Sequence, residues 1–294
     1  MRPDLLLMGE TFEALIFNQL SEIPGPGGET ETNRIARAPG GGVIITAVAV
    51  ARLGLDPCVV SALSPLTRKA LLRDGIAYRN LLRADEEPAL TVSLSTTKER
   101  RSVAYRGIND VLEDLLLQET VPGKVRARHV YGAFFPEDCQ KWLEPLSLIR
   151  NEDVGISWDF GWNQNFQADG AFVELLGMLD VVFLSEAEAH LYSGKETLEE
   201  ALAFWREHAM HTVIRRRTEG CLWVGRKGEG SSPGRDVEIP NTAEADAAFN
   251  GGYLYARISG MDPQESARVA TRVSTLAARR PSGIDEIPYR EELE

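Results

Sequence analysis

A run of three arginines stands where a predicted strand ends and is the most unusual charged feature of this sequence. The arginines at 215–217 follow the apolar residues Val213 and Ile214, and open α/β sheets bind their ligands at such strand ends. The run therefore predicts an anion site. The alternatives are a solvated turn or salt bridges to Glu244 and Asp246, and the salt bridges require the two segments to lie within ion-pair distance.

Acidic residues form the second set of candidates. Glu244 and Asp246 open a predicted helix, where they could hold a cation, although acids in a first turn also interact favourably with the helix dipole. Glu188 is a candidate metal organiser. It shares a predicted helix with Glu186 and His190, so a solvated helix face is the alternative.

Glycine and aromatic residues allow further functions. Residues 40–42 are three glycines that could cradle a ligand or simply turn a strand into a helix. Trp158, Phe160 and Trp162 could stack on a sugar or a base, but core packing is the stronger expectation. None of the four histidines is assigned to catalysis.

Strands and helices alternate around these residues. Residues 4–8 read as a buried strand, and residues 40–54 as a small-residue helix that opens on glycines and closes at Gly54. Residues 88–105 alternate apolar and polar side chains, which predicts a hairpin with one polar face. Helical stretches such as 198–208 separate the later strands, indicating a mostly parallel sheet covered by helices on both faces. The later strand candidates are residues 130–134, 155–158, 181–184, 212–215 and 221–224.

Composition narrows the function classes. The net charge is −12 and hydrophobic residues make up 43% of the chain, so we expect a globular protein with no nucleic-acid or membrane partner. The three cysteines are widely spaced, which favours reduced core thiols. The first apolar run is too short for a signal peptide, and no stretch approaches a membrane span. We expect a cytoplasmic protein.

Two segments of the chain have the form of family signatures. Residues 40–54 run from Gly-Gly to Ala-Arg-Leu-Gly, and residues 241–252 read NTAEADAAFNGG. They resemble the GGxxxN…ARLG and DTTGAGDAFxGG signatures of the PfkB/ribokinase family of carbohydrate kinases. Weaker similarities at residues 8–10, 185–188 and 266–281 follow in the family's order, so the resemblance covers nearly the whole chain.

This resemblance implies a fold and a set of partners. It implies one ribokinase-like domain over residues 1–294, a three-layer α/β/α sandwich with a mostly parallel central sheet and a small β-hairpin lid from roughly 11–36 and 86–107. It also implies a sugar or nucleoside-like ligand, Mg-ATP as cofactor and a homodimer formed through the lid.

The resemblance also locates a phosphoryl-transfer site whose residues are altered. In the ungapped alignment, the family's catalytic aspartate falls on Ala247, whereas a gapped alignment makes Asp246 the base. The Gly-Ala-Gly turn that faces the phosphates reads Glu244-Ala245-Asp246 after Thr242. Losing a general base typically costs about 10²–10⁴-fold in rate. Two carboxylates near a phosphate are also repulsive.

The remaining family positions are altered as well. The substrate aspartate falls on Ala14 beside Glu13, and the signature asparagine after Gly40 and Gly41 is Ile45. Isoleucine lacks the amide that would hold a sugar hydroxyl. The other carried-over positions are Asp159 in the substrate site, Arg215 and Gly220 in the nucleotide turn, and Glu188 with Ser185 in the magnesium motif.

From these changes, we predict a PfkB-family sugar kinase homologue with an eroded ATP site, acting as a small-molecule-binding or regulatory pseudokinase. The alternative is an active ATP-dependent sugar or nucleoside kinase that uses Asp246 as base. A third possibility is a structural subunit whose cleft is filled by side chains.

Overall fold

A large sheet forms the centre of the computed structural model, which describes residues 2–96, 99–120, 126–166, 168–234, 242–279 and 283–293. Its strands are β1 (Leu5–Gly9), β4 (Pro57–Ser61), β5 (Ala77–Asn80), β8 (His129–Ala133), β9 (Gly155–Asp159), β10 (Val181–Ser185), β11 (His211–Arg215), β12 (Gly220–Gly225) and β13 (Gly228–Pro233). Within these described ranges the strand order is β13-β12-β11-β10-β9-β8-β1-β4-β5. The pairs from β11 to β5 are parallel, and β12 and β13 add an antiparallel edge.

Helices cover both faces of this sheet because its strands are apolar on both sides. In β1, Leu5 and Leu7 belong to one buried cluster and Leu6 and Met8 to the other, as the alternation of a strand requires. The described helices are α1 (Gly42–Arg52), α2 (Pro65–Arg73), α3 (Leu112–Glu119), α4 (Gln140–Asn151), α5 (Gly170–Met178), α6 (Glu186–Ser193), α7 (Leu198–His208), α8 (Thr242–Ile258) and α9 (Pro263–Ala278). The predicted α/β architecture is confirmed.

A second sheet, called the small sheet below, accounts for the segment predicted to be a hairpin. It consists of β2 (Phe12–Phe17), β3 (Ile35–Gly40), β6 (Leu90–Ser95) and β7 (Arg100–Tyr105), in the order β3-β2-β6-β7. The expected hairpin is β6–β7, but β2 pairs with β6 in parallel and with β3 in antiparallel fashion. Local patterns indicated only this hairpin, because the β2–β6 pairing joins segments far apart in sequence. The lid segments implied by the family resemblance, roughly 11–36 and 86–107, contain β2, β6 and β7.

Close helix packing fixes the position of α8, which carries the second signature. A Cβ at Gly251 would lie 2.5 Å from the Cβ of Ala49 in α1, and one at Gly252 would lie 3.0 Å from the Cα of Ala270 in α9. The two glycines therefore allow three helices to approach one another. Since α8 is a continuous helix from Thr242, the same packing positions Asp246 and Ala247. None of the described helices has both the length and the apolar character of a membrane span.

Candidate functional site

A cavity of about 530 Å³ lies at the carboxyl ends of β1, β8 and β9 and is called the carboxyl-end cavity below. Aromatic rings from Phe12, Phe135 and Trp162 contribute to its wall, and the backbone of Gly41 approaches it directly. Gly41 has a φ of 113°, a conformation that glycine adopts without the strain other residues incur. The remaining lining residues are Glu10, Gly42, Arg106, Ala133, Phe134, Pro136, Glu137, Asp159, Phe160, Gly161 and Asn163.

The three aromatic residues singled out from sequence separate into two roles. Trp158 and Phe160 are buried, with exposures of 0% and 1%, as core packing predicts. Trp162 is 59% exposed and lines the cavity, so the expectation of core packing is wrong for this residue. A partly exposed indole at a cavity wall is suited to stacking against the apolar face of a ligand.

An ion pair ties the small sheet to the large one at the rim of this cavity. Arg106 follows β7, and its guanidinium lies 3.0 Å from the carboxylate of Glu10, which follows β1. Its Nε also donates to Asp110 at 2.7 Å. Asn109 reinforces the connection by donating to the carbonyl of Thr11 at 3.1 Å. The small sheet is therefore attached directly beside the carboxyl-end cavity.

Arg215 occupies the centre of a buried polar group that we call the Arg215 cluster: Arg215, Asp159, Glu188, Asp246, Asn250 and Tyr131. Its Nη1 lies 3.0 Å from Asp159 Oδ2 and its Nη2 lies 3.3 Å from Asp159 Oδ1, a two-pronged contact. Nη1 also donates to Asn250 Oδ1 at 2.6 Å. Glu188 Oε2 lies 3.7 Å from Nη2, and Asp246 Oδ1 lies 3.9 Å from Nε.

The Arg215 guanidinium is positively charged in this setting. Burial alone would lower the pKa of Arg215, but the charges of Asp159, Asp246 and Glu188 raise it. Burial raises the pKa of Asp246, and the charge of Arg215 opposes this shift. Asn250 extends the network by donating to Asp159 at 2.6 Å and to the Tyr131 hydroxyl at 2.9 Å.

The other two arginines of the run lie at the surface. Arg216 pairs with Glu186 at 2.6 Å and with Glu219 at 2.7 Å, and Arg217 is exposed. The predicted salt bridge to the start of α8 is confirmed for Arg215 and Asp246. Because Arg215 is surrounded by carboxylates, a free anion would have to displace them; an anion site at this run stays a prediction.

Glu188 is not on a solvated helix face, so that alternative is wrong. Its side chain is 7% exposed, and its Oε2 accepts from the Ser185 backbone N–H at 2.6 Å while Ser185 Oγ accepts from the Glu188 N–H. This reciprocal capping box begins α6. The described residues contain no group of three His, Cys, Asp or Glu side chains placed to hold a metal ion. The metal role of Glu188 stays a prediction.

The predicted catalytic and nucleotide positions lie mostly at the start of α8. Ala247 is buried against α1, where its carbonyl accepts from Thr46 Oγ1 at 3.0 Å. Glu244 is half-buried in the first turn and Ala245 is buried, and the side chain of Thr242 lies outside the described residues. Gly220 has a φ of 93°, and a Cβ there would lie 2.0 Å from the Ser232 carbonyl oxygen.

The predicted substrate positions divide between the cavity and its surroundings. Gly41 and Asp159 line the cavity. Gly40 packs against the ring of Phe12, Ile45 is in the core, and Glu13 and Ala14 pair with β6. The sequence interpretation missed the polar residues that line the cavity, and their positions just after strands were the available signal. These residues are Glu10, Arg106, Glu137 and Asn163.

Known proteins resemble this chain over nearly its full length. Residues 2–290 match the family model described as pfkB family carbohydrate kinase. Fructokinase-1 of Oryza sativa is 24% identical and ribokinase of Haemophilus influenzae 26%, each comparison covering 90% of this chain and 89% of the relative.

Solved structures show the same fold. Arabidopsis thaliana ribokinase, solved with ribose and ATP, has a TM-score of 0.82 at 17% identity and covers 100% of this chain and 98% of its own. Methanocaldococcus jannaschii nucleoside kinase has a TM-score of 0.81 at 14% identity, covering 99% and 97% respectively. Since residues 2–290 match the family model, the chain belongs to the PfkB family of carbohydrate kinases.

Proposed function

We propose that this chain binds a sugar or a nucleoside-like molecule in the carboxyl-end cavity and acts as a binding or regulatory protein that does not transfer phosphate from ATP. The observation that carries the proposal is the Arg215 cluster. Its guanidinium stands among Asp159, Glu188 and Asp246, where kinase relatives would need room for a metal-bound phosphate.

The residues present do not fit Mg-ATP. Three carboxylates against one guanidinium give the cluster a net negative charge. A phosphate charge of ATP placed about 4 Å from one of these carboxylates would be repelled by about 4 kcal/mol at an effective dielectric of 20. The guanidinium nitrogens also face the carboxylate oxygens from which a magnesium ion would be held. At the aligned base position, Ala247 has no group that accepts a proton. We therefore derive no reaction step through ATP.

The carboxyl-end cavity retains the features that bind polyhydroxylated molecules. Trp162 and Phe135 offer aromatic faces, and the polar side chains of Glu10, Arg106 and Asn163 supply acceptors and donors for hydroxyl groups. A volume of about 530 Å³ lies within the range of small-molecule sites. Kinase relatives share this ligand class, since ribose is bound in the Arabidopsis ribokinase structure.

Calorimetric titration tests the proposal. We expect a sugar or a nucleoside from a panel to bind the wild-type protein, and Trp162→Ala to weaken that binding about tenfold. Leu72→Ala removes another exposed apolar side chain outside the cavity and should leave the affinity unchanged. Micromolar binding of Mg-ATP accompanied by ATP consumption would contradict the proposal.

A second candidate function is that of an active sugar or nucleoside kinase with Asp246 as base. It is favoured by the environment of Asp246, whose pKa is raised by burial, which moves a carboxylate towards the range of a useful general base. This function predicts ATP consumption that depends on a sugar and disappears in Asp246→Asn. Wild-type protein that binds sugar but leaves ATP unchanged would eliminate it.

We also propose a cytoplasmic homodimer formed through the small sheet. The support is a set of exposed apolar side chains on this sheet, among them Ile35, Val103 and Tyr105, which are 57%, 74% and 56% exposed. Apolar surface of this kind commonly marks an interface. Light scattering should show a dimer that Val103→Glu dissociates.

A further inference from the structure

A second cavity, called the amino-end cavity below, lies at the amino-terminal ends of the strands of the large sheet, opposite the strand ends that form the candidate site. Its volume is about 650 Å³, and it lies where β8, β9, β10 and β11 begin, beside the end of α8 and the β12–β13 turn. Met210, Trp223 and Ile258 provide apolar surface. This volume is sufficient for a small organic ligand.

Unpaired positive charges line this cavity. Arg226 and Lys227 stand on the exposed β12–β13 turn, and Arg257 lies in the last turn of α8. Within the described ranges, none of these three side chains forms an ion pair, although Arg257 donates a hydrogen bond to the Met261 carbonyl. In a chain of net charge −12, three convergent uncompensated cations produce a local field that attracts anions.

The other charged residues of the lining are already engaged. Arg128 pairs with Asp4 at 3.0 Å. The Asp180 carboxylate accepts from the Ile156 N–H at 2.7 Å and lies 3.9 Å from Arg150. The net field at the cavity is therefore set by the three unpaired cations.

Aromatic rings form one wall of the same cavity. The His211 ring lies between two others: its centroid is 5.5 Å from that of Trp223 and 5.9 Å from that of Tyr253, with interplanar angles of 33° and 25°. Trp223 Nε1 donates to Gln264 at 3.3 Å and His211 Nε2 contacts the Tyr253 hydroxyl at 2.6 Å. These bonds hold the rings in place, so the aromatic wall of the cavity is preorganised.

His211 is uncharged at neutral pH and belongs to the aromatic wall rather than to the cations. Burial and, to a smaller extent, the charge of Arg257 lower its pKa to about 4. His129, the other histidine of the lining, contacts Ser157 Oγ at 2.8 Å. Burial lowers its pKa to about 4 as well.

We propose that the amino-end cavity is a second ligand site, which binds a flat organic anion carrying two or more negative charges. The cations at the β12–β13 turn and at the end of α8 bind the charged groups, and the aromatic wall that includes Trp223 packs against the planar body. The site is separate from the proposed sugar site because the two cavities share no lining residue. Phosphate esters and polycarboxylates share this chemistry.

Two probes of the same class distinguish the sources of charge. Adenosine 5′-monophosphate carries a phosphate on a planar base, and benzene-1,3,5-tricarboxylate carries carboxylates on a planar ring. Adenosine supplies the flat body alone and inorganic phosphate the charge alone. We expect one or both planar anions to bind with micromolar to submillimolar affinity, quenching the fluorescence of Trp223, whereas neither adenosine nor phosphate binds at this site.

Variants assign the binding to this cavity. Arg226→Ala with Lys227→Ala should weaken the binding at least tenfold, and raising the ionic strength should weaken it too. Trp223→Ala should also weaken it, while Trp223→Phe retains most of the affinity. Trp162→Ala, which alters only the carboxyl-end cavity, should leave it unchanged.

Three results would overturn the proposal. These are unchanged affinity in the Arg226/Lys227 double variant, loss of binding in Trp162→Ala, or no binding of either planar anion at millimolar concentration. Both substituted cations are exposed turn residues, so the double variant should fold, and circular dichroism checks this. Failure here leaves the sugar proposal intact, because that proposal is tested with uncharged ligands and with Trp162.

Discussion

Among the residues that the structure describes, positive charge is buried and paired at one end of the large sheet, and exposed without an ion pair at the other. At the carboxyl ends, Arg215 is buried and contacted by Asp159, Glu188 and Asp246. At the amino ends, Arg226 and Lys227 are exposed on a cavity. A buried charge requires partners, and its partners leave it little capacity for a ligand. An exposed cation beside a cavity retains that capacity, so of the two regions the amino end is the better placed to bind an anion.

Two elements, β11 and α8, extend from one end of the large sheet to the other. β11 runs from His211 at the amino-end cavity to Arg215 in the cluster, and α8 carries Asp246 and Arg257, which are about three turns apart and therefore on one side of the helix. Because the two cavities share no lining residue, a substitution in one lining can be made while the other cavity serves as the internal control.

We expect the largest effect on stability from removal of the buried arginine. Arg215→Met leaves three carboxylates without their counter-charge in a buried setting, and breaking such a group typically costs about 3–5 kcal/mol. We expect the free energy of unfolding, measured by urea denaturation, to fall by that amount. Binding of planar anions at the amino end should be unchanged when the variant is folded.

The matched control for Arg215→Met is Arg216→Met. Arg216 pairs with Glu186 and Glu219 at a partly exposed position, and such pairs contribute about 0–1 kcal/mol. Equal losses in the two variants would remove the distinction between a structural and a surface arginine. Arg215→Lys should fall between wild type and Arg215→Met, because an ammonium group cannot reproduce the two-pronged contact with Asp159.

A smaller effect should appear at the amino end when the pH is lowered. The pKa values of His129 and His211 are lowered to about 4 from 6.5, mainly by burial. The unfolded chain therefore takes up protons near pH 6.5 while the folded chain remains neutral, and stability falls as the pH falls from 6.5 towards 4. At pH 5, each histidine should reduce the free energy of unfolding by about 1–2 kcal/mol.

Denaturation curves between pH 7 and pH 5 measure this effect. His129→Gln and His211→Gln should each remove part of the pH dependence, and the double variant should remove most of the part that arises in this window. If the double variant kept the full pH dependence, the acid sensitivity would originate elsewhere in the protein. The two histidines of the amino-end cavity would then not be its source.

The sequence predicted the large sheet well because its strands are local patterns. The apolar run of β1 and the glycine-to-helix transition into α1 are recognisable without any tertiary information. Local patterns gave only the β6–β7 part of the small sheet, since β2 joins β6 across a long sequence separation and all six β2 residues are half-buried. Half-burial on both faces gives neither an alternating pattern nor a continuous apolar one.

The candidate site was predicted in part for a similar reason. The Arg215–Asp246 contact was open to prediction because both residues begin or end elements that meet at one sheet edge. The role of Trp162 was not, because exposure of one aromatic residue depends on a loop that leaves β9. The amino-end cavity left no motif at all: Arg226 and Lys227 come from the β12–β13 turn and Arg257 from the end of α8, and only the topology brings these two places together.

The most indirect of the expected effects concerns the helix that connects the two ends. Gly251→Ala places a Cβ 2.5 Å from the Cβ of Ala49 and 3.1 Å from the Thr46 carbonyl oxygen, so α1 and α8 must move apart. Overpacking of this kind costs about 1–3 kcal/mol. The separation should reach both ends, weakening sugar binding and planar-anion binding together.

Gly177→Ala is the matched control for Gly251→Ala, because a Cβ at Gly177 in α5 meets nothing within 4 Å. Alanine within a helix is favoured over glycine by about 0.5–1 kcal/mol, so this variant should be as stable as wild type or more stable. Reduced unfolding free energy in Gly251→Ala with binding unchanged at both cavities would mean that the two ends do not depend on the α1–α8 contact. Weakening at the carboxyl end alone would assign that contact to the sugar site, because α1 begins at Gly42, which lines the carboxyl-end cavity.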